Sequence, residues 1–430
     1  MEKKNPVTAV LIGAGHRSVI YGNYSLSHPE ELKIVGIAEP DRELRENVAK
    51  RFNVPSENLF ENAEAFSRVP RFADAAINGT MDEVHVSTTV PLLDDGYSVL
   101  LEKPFATNEA EFKILDDAVR RNNSKLMVCH VLRYADFYRE IKKRIISGEI
   151  GDIINIQTVE NISYHHMSTS YVRGKWANEL LSGSSILLAK CSHDIDLMVW
   201  LMGNEKPDRV SSFGSVMQFK EENAPRGSGT KCLVDCKIES ECNYSARKLY
   251  FDHPDRWEFY VWNPIMHDGK KPTEEQRLDF LKGESPFGRC VYRSNNTVVD
   301  HQTVMIQFKN GAIGTHTLVG GTPFPQRRIN ITGTRGSIFG IFEDSRFTVS
   351  LIDPSPDCEH RDEIVDLSGE CSAFVNHGGG DTALVEDFVR FVRGEAPSIS
   401  CTDFASSEDG HRIIFAADRS MKCGGQTQIL

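Results

Sequence analysis

Short apolar runs alternate with amphipathic segments over the first 130 residues. Val7–Ile12 is nearly all apolar and ends at a glycine-rich turn, and a second run covers 33–38. Between 42 and 52, Leu44, Val48 and Phe52 fall on one helical face. Such strands, alternating with helices, are typical of a doubly wound parallel sheet. We expect further strands at 73–77, 98–101 and 125–129, and a helix at 109–120.

The alternation of strands with helices ends near residues 146–151. Alternating strand patterns follow at 153–159, 303–308 and 313–318, and helical patterns at 381–393 and 404–421 close the chain. For residues 221–284 the sequence predicts little regular structure. The sequence therefore predicts an N-terminal α/β domain (1–130) and a C-terminal α+β domain (131–430), the latter with a large open sheet that is mostly antiparallel or mixed.

The net charge and the length of the chain indicate what kind of molecule it binds. The chain has 430 residues and a formal net charge of -12. Such an acidic protein is a poor ligand for nucleic acid or anionic membranes, and no apolar run reaches membrane-spanning length. No signal-peptide pattern follows the first lysines. We expect a cytoplasmic protein that acts on a small molecule, without a nucleic-acid or membrane partner.

The first turn carries a phosphate-binding pattern, Gly13-Ala14-Gly15-His16-Arg17-Ser18. The first glycine makes the tight turn, the second lets the backbone approach a pyrophosphate, and Ser18 replaces the usual third glycine with another small residue. His16 and Arg17 open the helix, where Arg17 would add a positive charge. This context predicts a Rossmann domain that binds NAD.

Glu39 ends the second strand, where a carboxylate binds both ribose hydroxyls and repels the 2′-phosphate of NADP. No basic residue follows it directly, so the sequence favours NAD over NADP. After the fifth strand comes Glu102-Lys103-Pro104. A lysine at the carboxyl end of a parallel strand faces the ligand crevice, although a solvated surface lysine is the ordinary alternative.

These motifs resemble the Gfo/Idh/MocA oxidoreductases. The resemblance rests on the loop at 13–18, Glu39, Thr80, Glu102-Lys103-Pro104, and segments 147–151 and 192–197. It implies that Lys103 contacts the reacting hydroxyl and the nicotinamide, that Thr80 and Glu102 lie in the cofactor site, and that the open sheets of two or four chains associate as a homodimer or homotetramer.

The resemblance also implies an Asp-x-x-x-His pair in which histidine is the acid/base, a role that His193 fits because imidazole titrates near neutrality. Ala189 stands at the aspartate position and Lys190 follows it. Lys190 and His193 share a helical face at i, i+3. Either Lys190 replaces the aspartate in positioning substrate, or the chemistry at this site is altered.

Aromatic and hydrogen-bonding residues precede that helix, and such groups suit a sugar. The substrate candidates are Tyr164, His166, Arg173 and Trp176, with His377 as a secondary candidate beside Asp381, a predicted helix N-cap. Part of this stretch is similar to a branch of the family with Val-Arg-Gly-x-Trp before Leu-Ala-Lys-Cys. A polar surface loop is the alternative for any one of these residues.

Four cysteines in the irregular region, Cys232, Cys236, Cys242 and Cys290, are numerous enough for a tetrahedral structural zinc site. Free thiols are the equally weighted alternative.

The leading functional hypothesis is an NAD-dependent oxidoreductase that transfers a hydride between nicotinamide and a hydroxyl of a sugar, polyol or sugar derivative. Two alternatives stay open: a glycosidase that oxidises, eliminates, hydrates and reduces with NAD regenerated, and a non-catalytic dinucleotide-binding regulator.

Overall fold

The first sheet is parallel, and the described chain contributes six strands to it in the order β3-β2-β1-β4-β5-β6. The computed structural model describes residues 5–203, 205–266, 270–369 and 378–430. The strands are Val7–Ile12 (β1), Leu32–Ala38 (β2), Leu59–Phe60 (β3), Ala75–Asn78 (β4), Ser98–Leu101 (β5) and Leu126–Val128 (β6). The strand order reverses between β1 and β4, which opens a crevice at their carboxyl ends. The predicted doubly wound domain is confirmed.

Helices cover this sheet and lead out of it. They are His16–Gly22, Tyr24–Ser27, Arg42–Phe52, Ala63–Ser67, His85–Asp94, Glu109–Asn122 and Asp136–Ile146. The helix over Arg42–Phe52 begins at Asp41, whose side chain accepts from the Leu44 N–H, and ends at Asn53 in the left-handed region.

The second sheet is mixed, as predicted, and within the described ranges it has nine strands in the order β14-β13-β12-β11-β7-β10-β9-β8-β15. Only β7 and β10 pair in parallel among these described strands. The strands are Ile153–Ser163 (β7), Pro207–Ser215 (β8), His301–Phe308 (β9), Ile313–Thr322 (β10), Gln326–Gly333 (β11), Gly336–Ile341 (β12), Arg346–Ile352 (β13), His360–Asp366 (β14) and Gln428–Ile429 (β15).

One helix, Ile186–Met202, lies between the two domains and is called here the central helix. Ser185 caps its start by accepting from the Leu188 N–H. All its side chains except Lys190 are buried, because the sheet and the helix Phe404–Lys422 enclose it. Polar groups on this helix therefore require partners inside the protein.

The remaining helices include Tyr164–His166, Glu179–Ser182, Glu258–Val261, Glu274–Lys282, Gly380–Arg393 and Phe404–Lys422. Leu384, Val385 and Phe388 of the helix Gly380–Arg393 join the core of the first domain. The predicted boundary at residue 130 stays a prediction. Asp381 is not the N-cap that we predicted, because the helix starts after Gly379 and makes no side-chain cap hydrogen bond. His377 lies outside the described residues.

Residues 216–300 form an insertion between β8 and β9. Its small core contains Leu249, Val261, Trp262, Leu281 and Phe287, with Cys232, Ala246 and Tyr250. In the described part of the insertion, short helices and turns surround this core, in agreement with the little regular structure that the sequence predicted.

Arg173 anchors the insertion, which corrects its assignment to the substrate. Its side chain is buried, its Nε donates to the Arg289 carbonyl at 2.7 Å, and its Nη2 donates to the Tyr244 carbonyl at 2.8 Å. Backbone carbonyls of the insertion thus occupy the donors that a sugar would need.

The structure does not support the zinc prediction. All four predicted cysteine ligands line one small pocket, but Arg173 lines it too, and its Nη2 lies 3.4 Å from the Cys232 Sγ. All four cysteines lie in the described ranges, and no three of their sulfurs lie within 4.8 Å of one another. The cation beside these thiols is a guanidinium, and it would repel a zinc ion.

We expect Arg173→Met to lower the free energy of unfolding by about 2–4 kcal/mol, because two buried carbonyls lose their donor. Limited proteolysis should then cut within 216–300, and denaturant unfolding measures the loss. Arg289→Ala, which removes an exposed side chain, is the matched control. Treatment of the wild type with a chelator should leave its unfolding midpoint unchanged; a fall as large as that of the variant would restore the zinc prediction.

Candidate active site

The glycine-rich loop leaves space beside the start of the helix His16–Gly22. Gly13 has φ of +79°, and a Cβ there would lie 3.1 Å from the Gly79 carbonyl oxygen. A Cβ on Gly15 would meet nothing within 4 Å. The backbone at Gly15 is therefore open to a pyrophosphate, and the loop fits a dinucleotide.

Ser18 fits at the third glycine position of the loop because Gly79, which has no side chain, lies opposite it. Its side chain is buried, and its Oγ has no hydrogen-bond partner among the described residues. A Cβ on Gly79 would lie 2.3 Å from this Oγ. The extra atoms of serine are thus accommodated by the absence of a side chain at Gly79.

Glu39 lies beside the loop at the end of β2. Its Oε2 accepts from the Ala14 N–H at 2.8 Å, and its Oε1 accepts from the Asp41 N–H at 2.9 Å. The carboxylate is thereby held next to the phosphate loop, where a ribose would lie.

Arg17 pairs with acidic residues of the crevice, and its predicted role at the phosphates stays a prediction. Its guanidinium lies 2.9 Å from Glu102 and 2.6 Å from Asp381, and it also donates to the Tyr21 hydroxyl. Burial alone raises the pKa of Glu102, but the charges of Arg17 and Lys103 outweigh it, so the net pKa is lowered. Arg17 therefore keeps Glu102 ionised at the carboxyl end of β5.

Lys103 connects the two domains. Its backbone N–H donates to Glu102 Oε2 at 2.9 Å, and its Nζ donates to the Ala189 carbonyl of the central helix at 2.7 Å. Burial lowers the pKa of Lys103, and the positive charges of Lys190 and Arg17 add to this effect. Its ammonium group therefore lies in the crevice, against the position that the resemblance gives to aspartate.

His85, which the sequence analysis missed, connects the end of β4 to the Glu102-Lys103-Pro104 turn. Thr80 donates from its Oγ1 to Asn78 at 2.9 Å, after β4. The ring nitrogens of His85 lie 3.1 Å from the Thr80 carbonyl and 2.7 Å from the Pro104 carbonyl. A single histidine on a helix carries no sequence signal for such a contact.

His193 lies on the central helix, buried against His130 of the first domain. The two rings meet edge to face with centroids 5.9 Å apart. Burial lowers the pKa of His130 well below its usual range, with Arg133 and Lys103 adding to the effect. Arg133 also binds Asp196 of the central helix through two hydrogen bonds, of 2.6 and 2.7 Å. These contacts hold the helix in register with the crevice.

Lys190 belongs to a buried array of alternating charges. Its Nζ lies 3.2 Å from Glu160 of β7. The Nε of Arg327 on β11 lies 2.8 Å from Glu160 and 3.1 Å from Asp194. Two cations and two carboxylates, from the central helix and from the strands β7 and β11, thus offset one another. The sequence showed the missing aspartate but not the carboxylate that β7 supplies beside Lys190.

Three residues next to this array could hold a metal ion. Ligand atoms of Cys191, Asp194 and His316 lie within 4.8 Å of one another, and all three residues are buried. Arg327 already pairs with Asp194, so this carboxylate has a cation without an added ion.

The structure places two of the substrate candidates, His166 and Tyr164, in different surroundings. Burial lowers the pKa of His166 well below its usual range, and Lys190 adds to the effect. His166 therefore lies close enough to Lys190 for their charges to interact. Tyr164 instead lines a neighbouring surface cavity of about 550 Å³ with Tyr244 and Lys248.

Trp176 lies in the contact between the domains, and its assignment to the substrate stays a prediction. Its Nε1 donates to Asp82 at 2.9 Å, and its ring stacks on Tyr171 with centroids 5.9 Å apart. Asp82, in the turn after β4, was also missed, because its partner lies 94 residues away.

None of the helices in the described ranges is both long and apolar enough to cross a bilayer.

Both parts of the chain match the oxidoreductase family to which the motifs pointed. The family's NAD-binding Rossmann-fold domain matches residues 7–130, and its C-terminal alpha/beta domain matches residues 142–403.

Similar proteins include oxidoreductases named for inositol and sugar substrates. The putative oxidoreductase YteT of Bacillus subtilis (strain 168) is 24% identical over 376 residues, which cover 83% of this chain and 81% of that protein. The scyllo-inositol 2-dehydrogenase (NAD(+)) of the same organism is 23% identical over 50% of this chain and 59% of its own. A structure of levoglucosan dehydrogenase with NADH and levoglucosan has a TM-score of 0.70 at 19% identity, with 99% of each chain covered.

With two matched domains that together span most of its length, this chain belongs to the Gfo/Idh/MocA family of oxidoreductases.

Proposed function

We propose that the protein is an NAD-dependent oxidoreductase that transfers a hydride between nicotinamide and a hydroxyl-bearing carbon of a sugar, polyol or sugar derivative. The observation that carries this proposal is the hydrogen bond from Lys103 Nζ to the Ala189 carbonyl. It brings the lysine of the cofactor crevice against the helix that bears Lys190 and His193.

NAD bound at the loop supplies a hydride acceptor, and the protein handles the proton. The ammonium group of Lys103 binds the reacting hydroxyl and orients its carbon toward the crevice. His193 takes the hydroxyl proton as the hydride leaves, which yields a carbonyl. Lys190 contributes a second donor for substrate, held in place by Glu160. The lowered pKa of Lys103 favours sharing of a proton with a bound hydroxyl.

Glu39 supports NAD rather than NADP. Both of its oxygens accept from the backbone beside the loop, so the carboxylate cannot turn away easily from a 2′-phosphate. A 2′-phosphate bound beside this carboxylate would place two negative charges together, and their repulsion would weaken the binding of NADP.

We expect Lys103→Ala to reduce turnover by about 10³-fold or more, because the group that orients the hydroxyl is lost. NADH binding should change much less than turnover, because the loop backbone rather than Lys103 binds the pyrophosphate. The assay is a screen of sugars and glycosides with NAD or NADP that follows both NADH absorbance and released products. Lys113→Ala, on an exposed helix face, is the control.

Three outcomes would overturn parts of this proposal. Unchanged turnover in Lys103→Ala would remove the role of the lysine. Net glycoside hydrolysis without NADH accumulation would indicate the redox glycosidase instead. Tight NAD binding without turnover of any carbohydrate would indicate the regulator.

We further propose that the outer face of the second sheet joins two copies of the chain. One row across this face reads Ile364, Thr348, Phe339, Asn330, Gln157, Thr315, Met305 and Ser211. The row carries no charge, and Phe339 is 52% exposed. Depletion of charge is typical of interface cores, and eight strands at about 4.8 Å spacing are wide enough for a stable interface.

Thr315→Arg should convert the assembly to monomers, because it places a charge at the centre of the proposed interface. Light scattering after size exclusion measures the mass, and Ser56→Arg, on the exposed surface of the first domain, is the control. A monomeric wild type, or an assembly that tolerates Thr315→Arg, would contradict the proposal.

The cellular site that we propose is the cytoplasm. The cysteines of the described ranges are free thiols, which is typical of a reducing compartment. The acidic charge fits a small-molecule enzyme without a nucleic-acid partner.

A further inference from the structure

The insertion places a cluster of three aromatic rings at the contact between the two domains. They are Trp257, Phe259 and Tyr260, at residues 257–260, called here the aromatic segment. Their rings contact one another, with centroids 4.7 Å apart for Phe259 and Tyr260 and 5.9 Å for Trp257 and Tyr260. They lie outside the mechanism described above and outside every sequence motif.

Phe259 lies on the phosphate loop. Its ring stacks on His16 with centroids 4.4 Å apart and an interplanar angle of 10°. Phe259 remains 42% exposed, so its ring is not part of the insertion's core. The contact joins the second domain to the residue directly after Gly15, where the backbone is open to a pyrophosphate.

Tyr260 is less exposed than Phe259, and charged groups from the ends of β4 and β5 act on it. Burial raises the pKa of Tyr260 to about 12, Arg17 opposes this shift, and Glu102 adds to it. Its hydroxyl is therefore close enough to the charges of the crevice to feel them. Its ring also meets Trp176, with centroids 6.3 Å apart.

Trp257 ties the segment to the substrate side. Its Nε1 donates to His165 Nδ1 at 3.3 Å, and its ring lies 4.9 Å from that of His166. The segment is anchored at its other end, because Val261 and Trp262 belong to the insertion's core. It therefore has a fixed base and a face that rests on the crevice.

We propose that Phe259 and Tyr260 complete the dinucleotide site from the second domain, so that NAD(H) leaves only when the aromatic segment lifts from the loop. The inference rests on NAD as the cofactor in the proposed function, and it adds to the site a wall that the first domain lacks. Aromatic rings bind the faces of nucleotide bases and exclude water from the groups that they cover.

Release of NADH tests this directly. The wild-type protein is loaded with NADH and mixed with excess NAD in a stopped-flow instrument, and the fall in NADH fluorescence gives the dissociation rate. We expect Phe259→Ala and Tyr260→Ala to raise this rate by several-fold to about tenfold, with a matching rise in Kd. Phe259→Trp should restore slow release, and Val234→Ala, which shortens an exposed apolar side chain of the same insertion, should have no effect.

A double-mutant cycle with His16→Ala separates a specific stack from general loosening. If the stack holds the segment, the double variant should release NADH no faster than the faster single variant. Thermal unfolding of each variant shows that the insertion is still folded. Dissociation rates within twofold of the wild type in both folded alanine variants would overturn the proposal.

The readout does not depend on turnover. A protein that oxidises sugars but releases NADH at the same rate in all variants would overturn this inference alone. A protein whose variants release NADH faster, but which oxidises no carbohydrate, would overturn the proposed function alone.

Discussion

The ammonium group of Lys103 leaves one domain and donates to the Ala189 carbonyl in the other, and the geometry of the site depends on this contact. A buried ammonium is costly unless charges of opposite sign surround it. Glu102 and Asp82 supply them from the ends of neighbouring strands. Arg17 in turn keeps Glu102 ionised. Residues that form separate motifs in the sequence are thus linked in space by a series of charge interactions, which runs from the phosphate loop to the central helix.

The central helix explains why the charges on it and next to it are paired. Every residue of the helix except Lys190 is buried, so its other polar groups meet protein rather than water. Glu160 lies between Lys190 and Arg327, and Arg327 also reaches Asp194. Removal of Glu160 would leave Lys190 without its carboxylate, and removal of Arg327 would leave Asp194 without its cation. The array therefore stabilises one orientation of the helix, and with it the position of His193.

Arg173 and Trp176 show how residues with the same predicted role serve different purposes. Arg173 and Trp176 stand three positions apart and read alike as sugar-binding groups. In the structure Arg173 satisfies backbone carbonyls of the insertion, whereas Trp176 binds Asp82 across the domain contact. Long side chains can reach in many directions, and hydrogen-bonding capacity alone does not distinguish a ligand from a neighbouring loop. The same holds for the four cysteines, whose spacing allowed zinc but whose pocket contains a guanidinium.

The sequence by itself determined the doubly wound sheet, the phosphate loop, Glu39 and the crevice lysine, because these are local. Strand periodicity, a tight turn and the end of a parallel strand each depend on residues that are close in the chain. Only the tertiary structure decided what faces them: Gly79 opposite Ser18, Asp381 opposite Arg17, and Glu160 beside Lys190. It also decided that Phe259 covers the loop, 243 positions after His16 in the chain. Such pairings arise when distant segments pack together, and no spacing along one chain encodes them.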